Sequence, residues 1–256
     1  MDGVKNNKEM EDIVLLQGNC LEQLRKIPDN SIDMILTDPP YSSGGLFAND
    51  RKKSTRMKYT DVGYAGASRF PNFTGDNMDQ KSYMLFLQIF LSACLSKVSD
   101  GNILMMFSDW RNIGAVIDAV QLGGWIYRGI VVWNKKNSRP VPGRFRNDCE
   151  YIVWATKGER KTKPVKGCHI FPGFYTVPIV QSKNKHHQTE KPLELLESVM
   201  AICPPGGRVL DAFMGSGSVG VACLNTGRKF TGIELNEYYF EIAKKRIQEN
   251  QGKNTG

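Results

Sequence analysis

Histidine is scarce in this chain, with 3 in 256 residues, and the 6 cysteines (Cys20, Cys94, Cys149, Cys168, Cys203, Cys223) contain no C-x-x-C pair. Neither these cysteines nor His169, His186 and His187 have the spacing of a metal site, so no metal is expected. The thiols read as reduced and structural. No apolar run approaches the roughly 20 residues that a membrane helix needs. Met1 to Asp12 is polar and lacks the apolar core of a secretory signal, so the expected location is cytoplasmic. Internal repeats are lacking too, which argues against a solenoid.

What is present is an alternation of strand and helix patterns. Ile13 to Leu16 reads as a strand, Leu21 to Lys26 as a brief helix, and Ser31 to Thr37 as a second strand. Apolar residues at Met84, Leu87, Leu91, Leu95 and Val98 have helical spacing. A strand over 102–107, a helix over 112–122 and two β-rich runs, 125–133 and 151–155, follow. The last segment is the most regular: helix 193–203, strand 208–211, helix 219–225, strand 229–233 and helix 237–249. Such alternation predicts a mostly parallel sheet covered on both faces, with ligands beyond the carboxyl ends of the strands. The length suits one domain spanning 1–256, with irregular basic loops inserted at 42–80 and 157–185.

Two segments at strand ends carry chemistry. Gly215-Ser216-Gly217-Ser218-Val219-Gly220 satisfies G-x-G-x-x-G, and Glu234 closes the next strand as a ribose-binding acid would. Any adenosine-containing cofactor profits from glycines that let the backbone approach and from a carboxylate that accepts ribose hydroxyls. On this turn alone a nicotinamide dehydrogenase fits as well as a methyltransferase. Asp38-Pro39-Pro40-Tyr41 tips the balance. An exocyclic amino group on a base is a poor nucleophile and must be held in line with its hydrogens accepted by fixed oxygens. Asp38 offers a carboxylate and Pro39 a carbonyl, the prolines stiffen the turn, and Tyr41 gives an aromatic face for a flipped base.

With both segments in view the chain resembles the S-adenosylmethionine-dependent DNA amino-methyltransferases, which modify adenine N6 or cytosine N4. It is most similar to their β group, where Asp-Pro-Pro-Tyr precedes Phe-x-Gly-x-Gly, here Phe213 to Gly217. A third piece, His187-Gln188-Thr189-Glu190-Lys191-Pro192, resembles the family's His-Pro-Thr-Gln-Lys-Pro run. The resemblance implies a three-layer, Rossmann-like α/β fold, with a mostly parallel sheet and a β-hairpin in the C-terminal half. It implies a cofactor site made of Asn19, Cys20, Asp38, Thr189, Lys191, Asp211, Phe213, Gly215, Ser216, Gly217 and Glu234, in which Thr189 and Lys191 bind the methionine carboxylate. Asp38, Pro39, Pro40 and Tyr41 are the implied catalytic residues. Asn19 stands where the family commonly has an acid, and Gln188 replaces the usual proline. Asp38 favours adenine N6, because cytosine N4 enzymes of this group more often carry Ser there. A 5-methylcytosine enzyme would need a nucleophilic cysteine, usually in a Pro-Cys pair, and the chain has only Cys203-Pro204.

The net charge of +8 agrees with a polyanionic partner. The resemblance implies double-stranded DNA as that partner, a place in restriction-modification, and a homodimer of the kind relatives often form. Arg51, Lys52 and Lys53 of the early loop, with Lys135, Lys136, Arg139 and Arg144, are the candidate phosphate contacts. Loop 157–185 is the candidate target-recognition region. An RNA or protein-amide methyltransferase, with its Asn-Pro-Pro-Tyr-like turn, and a non-catalytic DNA-binding module are the remaining alternatives.

Overall fold

The computed structural model of the chain describes residues 10–41, 78–136, 142–160, 170–180 and 190–252. Among them eight strands form one sheet: β1 (Ile13–Gln17), β2 (Ile32–Thr37), β3 (Val98–Ser108), β4 (Ile126–Asn134), β5 (Cys149–Thr156), β6 (Phe174–Thr176), β7 (Arg208–Asp211) and β8 (Lys229–Glu234). The order across the sheet is β1-β8-β7-β2-β3-β5-β4-β6. From β1 to β3 every pair is parallel, while β5 is antiparallel to both β3 and β4. The helices are α1 (Cys20–Leu24), α2 (Gln80–Leu95), α3 (Ile113–Leu122), α4 (Leu193–Met200), α5 (Ser218–Asn225) and α6 (Glu237–Gln251).

The period of two along each central strand decides the layers. In β2, Ile35 faces a core with Leu87, Phe90 and Leu91 of α2 and with Val116 of α3. Its neighbours Met34 and Leu36 face the opposite core, built from Leu195 and Val199 of α4, Val221 of α5 and Ile247 of α6. Helices therefore cover both sheet faces, in three layers.

Local chemistry sets the helix starts. Asp79 caps α2 through its side chain, which accepts from the backbone amides of Lys81 and Ser82, and Asn236 caps α6 by accepting from the amide of Tyr239. Trp125, at the end of α3, donates its indole N–H to the Leu91 carbonyl at 3.0 Å and ties α3 to α2.

One expectation needs correction. Loop 157–185 is not wholly irregular: β6 lies inside it, and Phe174 to Thr176 pair in parallel with Val132 to Asn134. Three residues are too few for periodicity, so the free edge of β4 decides this strand.

Gly220 is the last glycine of the Gly-rich turn, and its role is close packing. A Cβ there would meet Ile247 Cδ1 at 2.6 Å and the Phe230 ring at 2.8 Å, so the α5 backbone lies directly on α6 and β8. Gly220→Ala is expected to overpack this core at a cost of about 1–3 kcal/mol. At roughly 2–4 °C per kcal/mol for a chain of this size, melting followed by circular dichroism should fall by several degrees. An unchanged midpoint would mean that the helices can separate freely.

Candidate active site

β2 and β7 are neighbours, with Met34 opposite Val209 and Ile35 opposite Leu210. The chain leaves β2 toward β3 on one side and β7 toward β8 on the other, so their shared carboxyl end is the switch point of the sheet. Asp38 follows β2 there and Asp211 ends β7. The Thr37 hydroxyl donates to Asp211 Oδ1 at 2.7 Å and joins the two ends. The same oxygen accepts the Phe213 amide at 3.1 Å, while burial pushes the Asp211 carboxyl up to about 7. Asp211 thus shapes the turn from within.

The turn itself has Gly215 and Gly217 at φ of 53° and 80°, where side-chain-bearing residues are strained. Glu234, at the end of β8, accepts the Gly215 amide on Oε2 and the Asn236 amide on Oε1, both at 2.8 Å. Burial raises the Glu234 pKa against the pull of these amides. Phe213 packs edge-on against Phe86 and Phe90 of α2, with ring centroids 6.1 and 5.2 Å away. On the far side, Arg246 of α6 pairs with Glu190 at 2.7 Å and donates to Ser218 Oγ at 3.0 Å and to the Ser216 carbonyl at 3.3 Å. Asn19 stands just past β1, whose Gln17 pairs with Glu234, and its Oδ1 caps α1 by accepting the Leu21 amide. Cys20 is buried, which pushes its thiol up to about 11.

Beside this turn lies the Asp-Pro-Pro-Tyr segment, held by residues outside every motif. Asn112, buried at the start of α3, donates its side-chain amide to the Tyr41 carbonyl at 2.6 Å. Asn112 is placed in turn by Asp109, whose Oδ1 accepts the amides of Arg111 and Asn112. Lys191 Nζ reaches Asp38 Oδ2 at 2.6 Å, Tyr41 Oη at 3.0 Å and Glu150 Oε2 at 3.3 Å. It also lies 5.1 and 5.0 Å from the centres of the Tyr41 and Phe107 rings. Tyr41 Oη donates to Glu150 Oε2 at 3.2 Å, and Lys135 Nζ donates to Glu150 Oε1 at 3.2 Å.

Lys191 has three N–H donors, and the chain itself supplies three acceptors. The lysine expected at the methionine carboxylate thus reaches the catalytic turn. One atom of this cluster stays unsatisfied: Asp38 Oδ1 is buried and has no hydrogen-bond partner among the described residues. Burial, the largest influence, raises the Asp38 pKa against the pull of Lys191, and the negative Glu150 adds to the rise.

A cleft with about 460 Å³ of empty space, open to solvent, joins the two halves and is lined by Asp38, Lys191, Asp211, Phe213, Gly215 and Ser216 among others. Asp38 and the Gly-rich turn thus share one opening. Residues 32–245 match the family described as DNA methylase, that of the N6 and N4 enzymes. The chain belongs to that family.

Among relatives, this methylase is 29% identical over 262 residues to the type II methyltransferase M.HinfI of Haemophilus influenzae, covering 92% of this chain and 68% of the relative. Its fold is similar to that of the M1.HpyAVI–SAM complex, with TM-score 0.65, 24% identity and coverage of 92% and 98% of the two chains. It is also similar to the cytosine-N4-specific PvuII DNA methyltransferase, with TM-score 0.68, 17% identity and coverage of 96% and 93%. The family's methyl donor is S-adenosylmethionine. The methylase suits that group: a half-buried carboxylate at Glu234 holds the turn, and the backbone of Gly215 and Ser216 lines the cleft.

Thr189, Arg51, Lys52, Lys53 and Arg139 lie outside the described residues. Lys135, an expected DNA contact, points its ammonium at Glu150, whereas Lys136 and Arg144 are exposed in the β4–β5 connection. Because β4 runs in the same direction as β3, that connection emerges at the carboxyl edge of the sheet beside Asp38. Sequence reasoning missed Asn112 and Glu150 as site residues. Glu150, an acid at the start of a β-rich run where a half-buried strand favours apolar or neutral residues, was the available signal.

Proposed function

We propose that this methylase transfers a methyl group from S-adenosylmethionine to N6 of an adenine turned out of duplex DNA. The observation that carries the reading is Asp38: its Oδ2 is held by Lys191, and its Oδ1 is buried beside the Gly-rich turn with no partner among the described residues. An acceptor closed off from water without a donor costs about 1–3 kcal/mol, which an arriving amino N–H restores. When bound, the cofactor would supply an electrophilic sulfonium methyl: the amino nitrogen would form the C–N bond, the C–S electron pair would stay on sulfur, and the amino proton would pass to the hydrogen-bonded Asp38 or to water. Asp38 Oδ1 and the Pro39 carbonyl accept the amino hydrogens, which turns the nitrogen lone pair toward the methyl carbon. No covalent bond to the enzyme is needed. Lys191 Nζ sits at the hydroxyl end of Tyr41, 3.0 Å from Oη and 5.1 Å from the ring centre, so it anchors the ring that the base would stack on without covering its face. Lys136 and Arg144 lie at the carboxyl edge, where phosphates beside the flipped base would pass.

Asp38 must be ionised to accept two-sidedly. Its pKa is raised by burial, so activity is lost as pH falls through a value above that of an ordinary aspartate, earlier than a surface aspartate would allow. A profile of kcat against pH at saturating substrates checks this; full activity down to the ordinary aspartate pKa would contradict it.

Tritiated cofactor and duplex DNA, followed by nucleoside digestion and chromatography, test the function itself. Label in N6-methyladenine supports the reading, label in N4-methylcytosine moves the enzyme to the cytosine side, and label only in RNA or protein ends the DNA assignment. Methylation-aware sequencing of the product would then read the recognition motif.

A further inference from the structure

Glu150 belongs to none of the three motif segments, yet it touches the catalytic cluster at three points. It is the second residue of β5, and its side chain is only 17% exposed. Oε2 accepts from Tyr41 Oη and Lys191 Nζ, and Oε1 accepts from Lys135 Nζ. A carboxylate this enclosed needs compensating charge. Two carboxylates, Asp38 and Glu150, face two ammoniums, Lys191 and Lys135, so the cluster has a formal charge of −2 + 2 = 0. Burial pushes the Glu150 pKa up, but the two lysines outweigh it and hold the group below its usual value.

The consequence concerns Lys191. Three donors and only Asp38 and Tyr41 as acceptors would let the ammonium bridge both oxygens of Asp38. Glu150 takes the third donor from the side of β5, Tyr41 Oη takes another, and the ammonium settles on Oδ2 at 2.6 Å. Among the described residues Oδ1 is left without a partner.

We propose that Glu150 is a positioning residue of methyl transfer, which acts through Lys191 to reserve Asp38 Oδ1 for the amino group of the target base. This rests on the reading of Asp38 given above. Glu150 touches neither cofactor nor base; it sets which oxygen of Asp38 is free and shares the lysine charge so that Asp38 is not neutralised by it. A sub-ångström drift of the acceptor is enough to slow transfer by about 10- to 100-fold.

The test is a double-mutant cycle with Glu150→Gln, Lys191→Met and the combined variant, each normalised to active sites by S-adenosylmethionine binding stoichiometry. Single-turnover transfer to duplex DNA, cofactor Kd by calorimetry, and melting temperature are measured for each. Glu150→Gln is expected to lower the transfer rate about 10- to 100-fold while cofactor Kd and DNA KM stay within about threefold. In the Lys191→Met background Glu150→Gln should cause no further loss, and it should recover part of the melting temperature because it removes a buried carboxylate that has lost one of its two lysines. Equal loss in both backgrounds would overturn the proposal, as would a Glu150→Gln enzyme that melts lower yet transfers at the normal rate. Should Glu150→Gln alone not fold, the charge-balanced double variant against Lys191→Met still decides. Asp38→Ala separates the two readings: if it still transfers methyl, the assignment of Asp38 fails; if it is inactive while Glu150→Gln is silent, only the role of Glu150 fails.

Discussion

Asp38→Ala is expected to abolish methyl transfer, by about 10³-fold or more in kcat, while S-adenosylmethionine still binds within a few-fold of the parent. The rate loss follows from removing the group aimed at the reacting amine: one preorganised polar partner of a transition state is worth roughly 10²–10³ in kcat. Here the substitution also frees Lys191 from its shortest contact, at 2.6 Å, and lets it move into the space the base needs. Cofactor binding survives because the Gly-rich turn is built without Asp38: Glu234 holds the Gly215 amide, and Arg246 holds Ser216 and Ser218. Folding survives as well, since Lys191 keeps Glu150 and Tyr41 as partners and is not left as an isolated buried charge. Single-turnover transfer together with calorimetric binding checks both halves. Loss of cofactor binding in proportion to activity would place Asp38 in the cofactor site and remove it from the chemistry.

Glu234→Ala should do the reverse, weakening S-adenosylmethionine binding by about 10²- to 10³-fold. Hydrogen bonds to a charged group contribute roughly 1.5–3 kcal/mol each, and about 1.4 kcal/mol corresponds to a factor of ten. We propose that Glu234, at the end of β8, accepts the ribose hydroxyls, and truncation would then remove such bonds. The variant also frees the Gly215 and Asn236 amides, which slackens the turn that faces the cofactor. Glu234→Gln keeps an acceptor and should lose less. Titration calorimetry at matched fold content measures the change; an unaltered Kd in Glu234→Ala would show that the acid only shapes the turn.

These two residues were legible for a local reason. Each ends a strand whose apolar run or alternation is visible, and each sits beside a turn whose prolines or glycines have few other uses. Strand boundaries in the last segment were nearly as plain. The pattern over 208–211 coincides with β7, and that over 229–233 falls one residue short of β8. Lys191 was legible as a site residue by its motif, but its partners were not. Pro192 and the helix after it mark the place of the lysine without saying which acceptors lie within reach of a flexible four-carbon stem.

The sequence by itself determined the alternating α/β architecture, the two strand-end turns and, through their order, the family, because periodicity and turn chemistry are properties of a few neighbouring residues. Only the tertiary structure decided that β5 runs antiparallel between β3 and β4, that Asn112 braces Tyr41, and that Glu150 and Lys191 converge on Asp38. Lys191 meets Asp38 across 153 residues and Glu150 meets Tyr41 across 109. Contacts at such separations depend on strand order and on which sheet end each chain segment leaves from, and neither leaves a periodic trace in the chain. The single free oxygen of Asp38 is therefore a product of the assembled sheet.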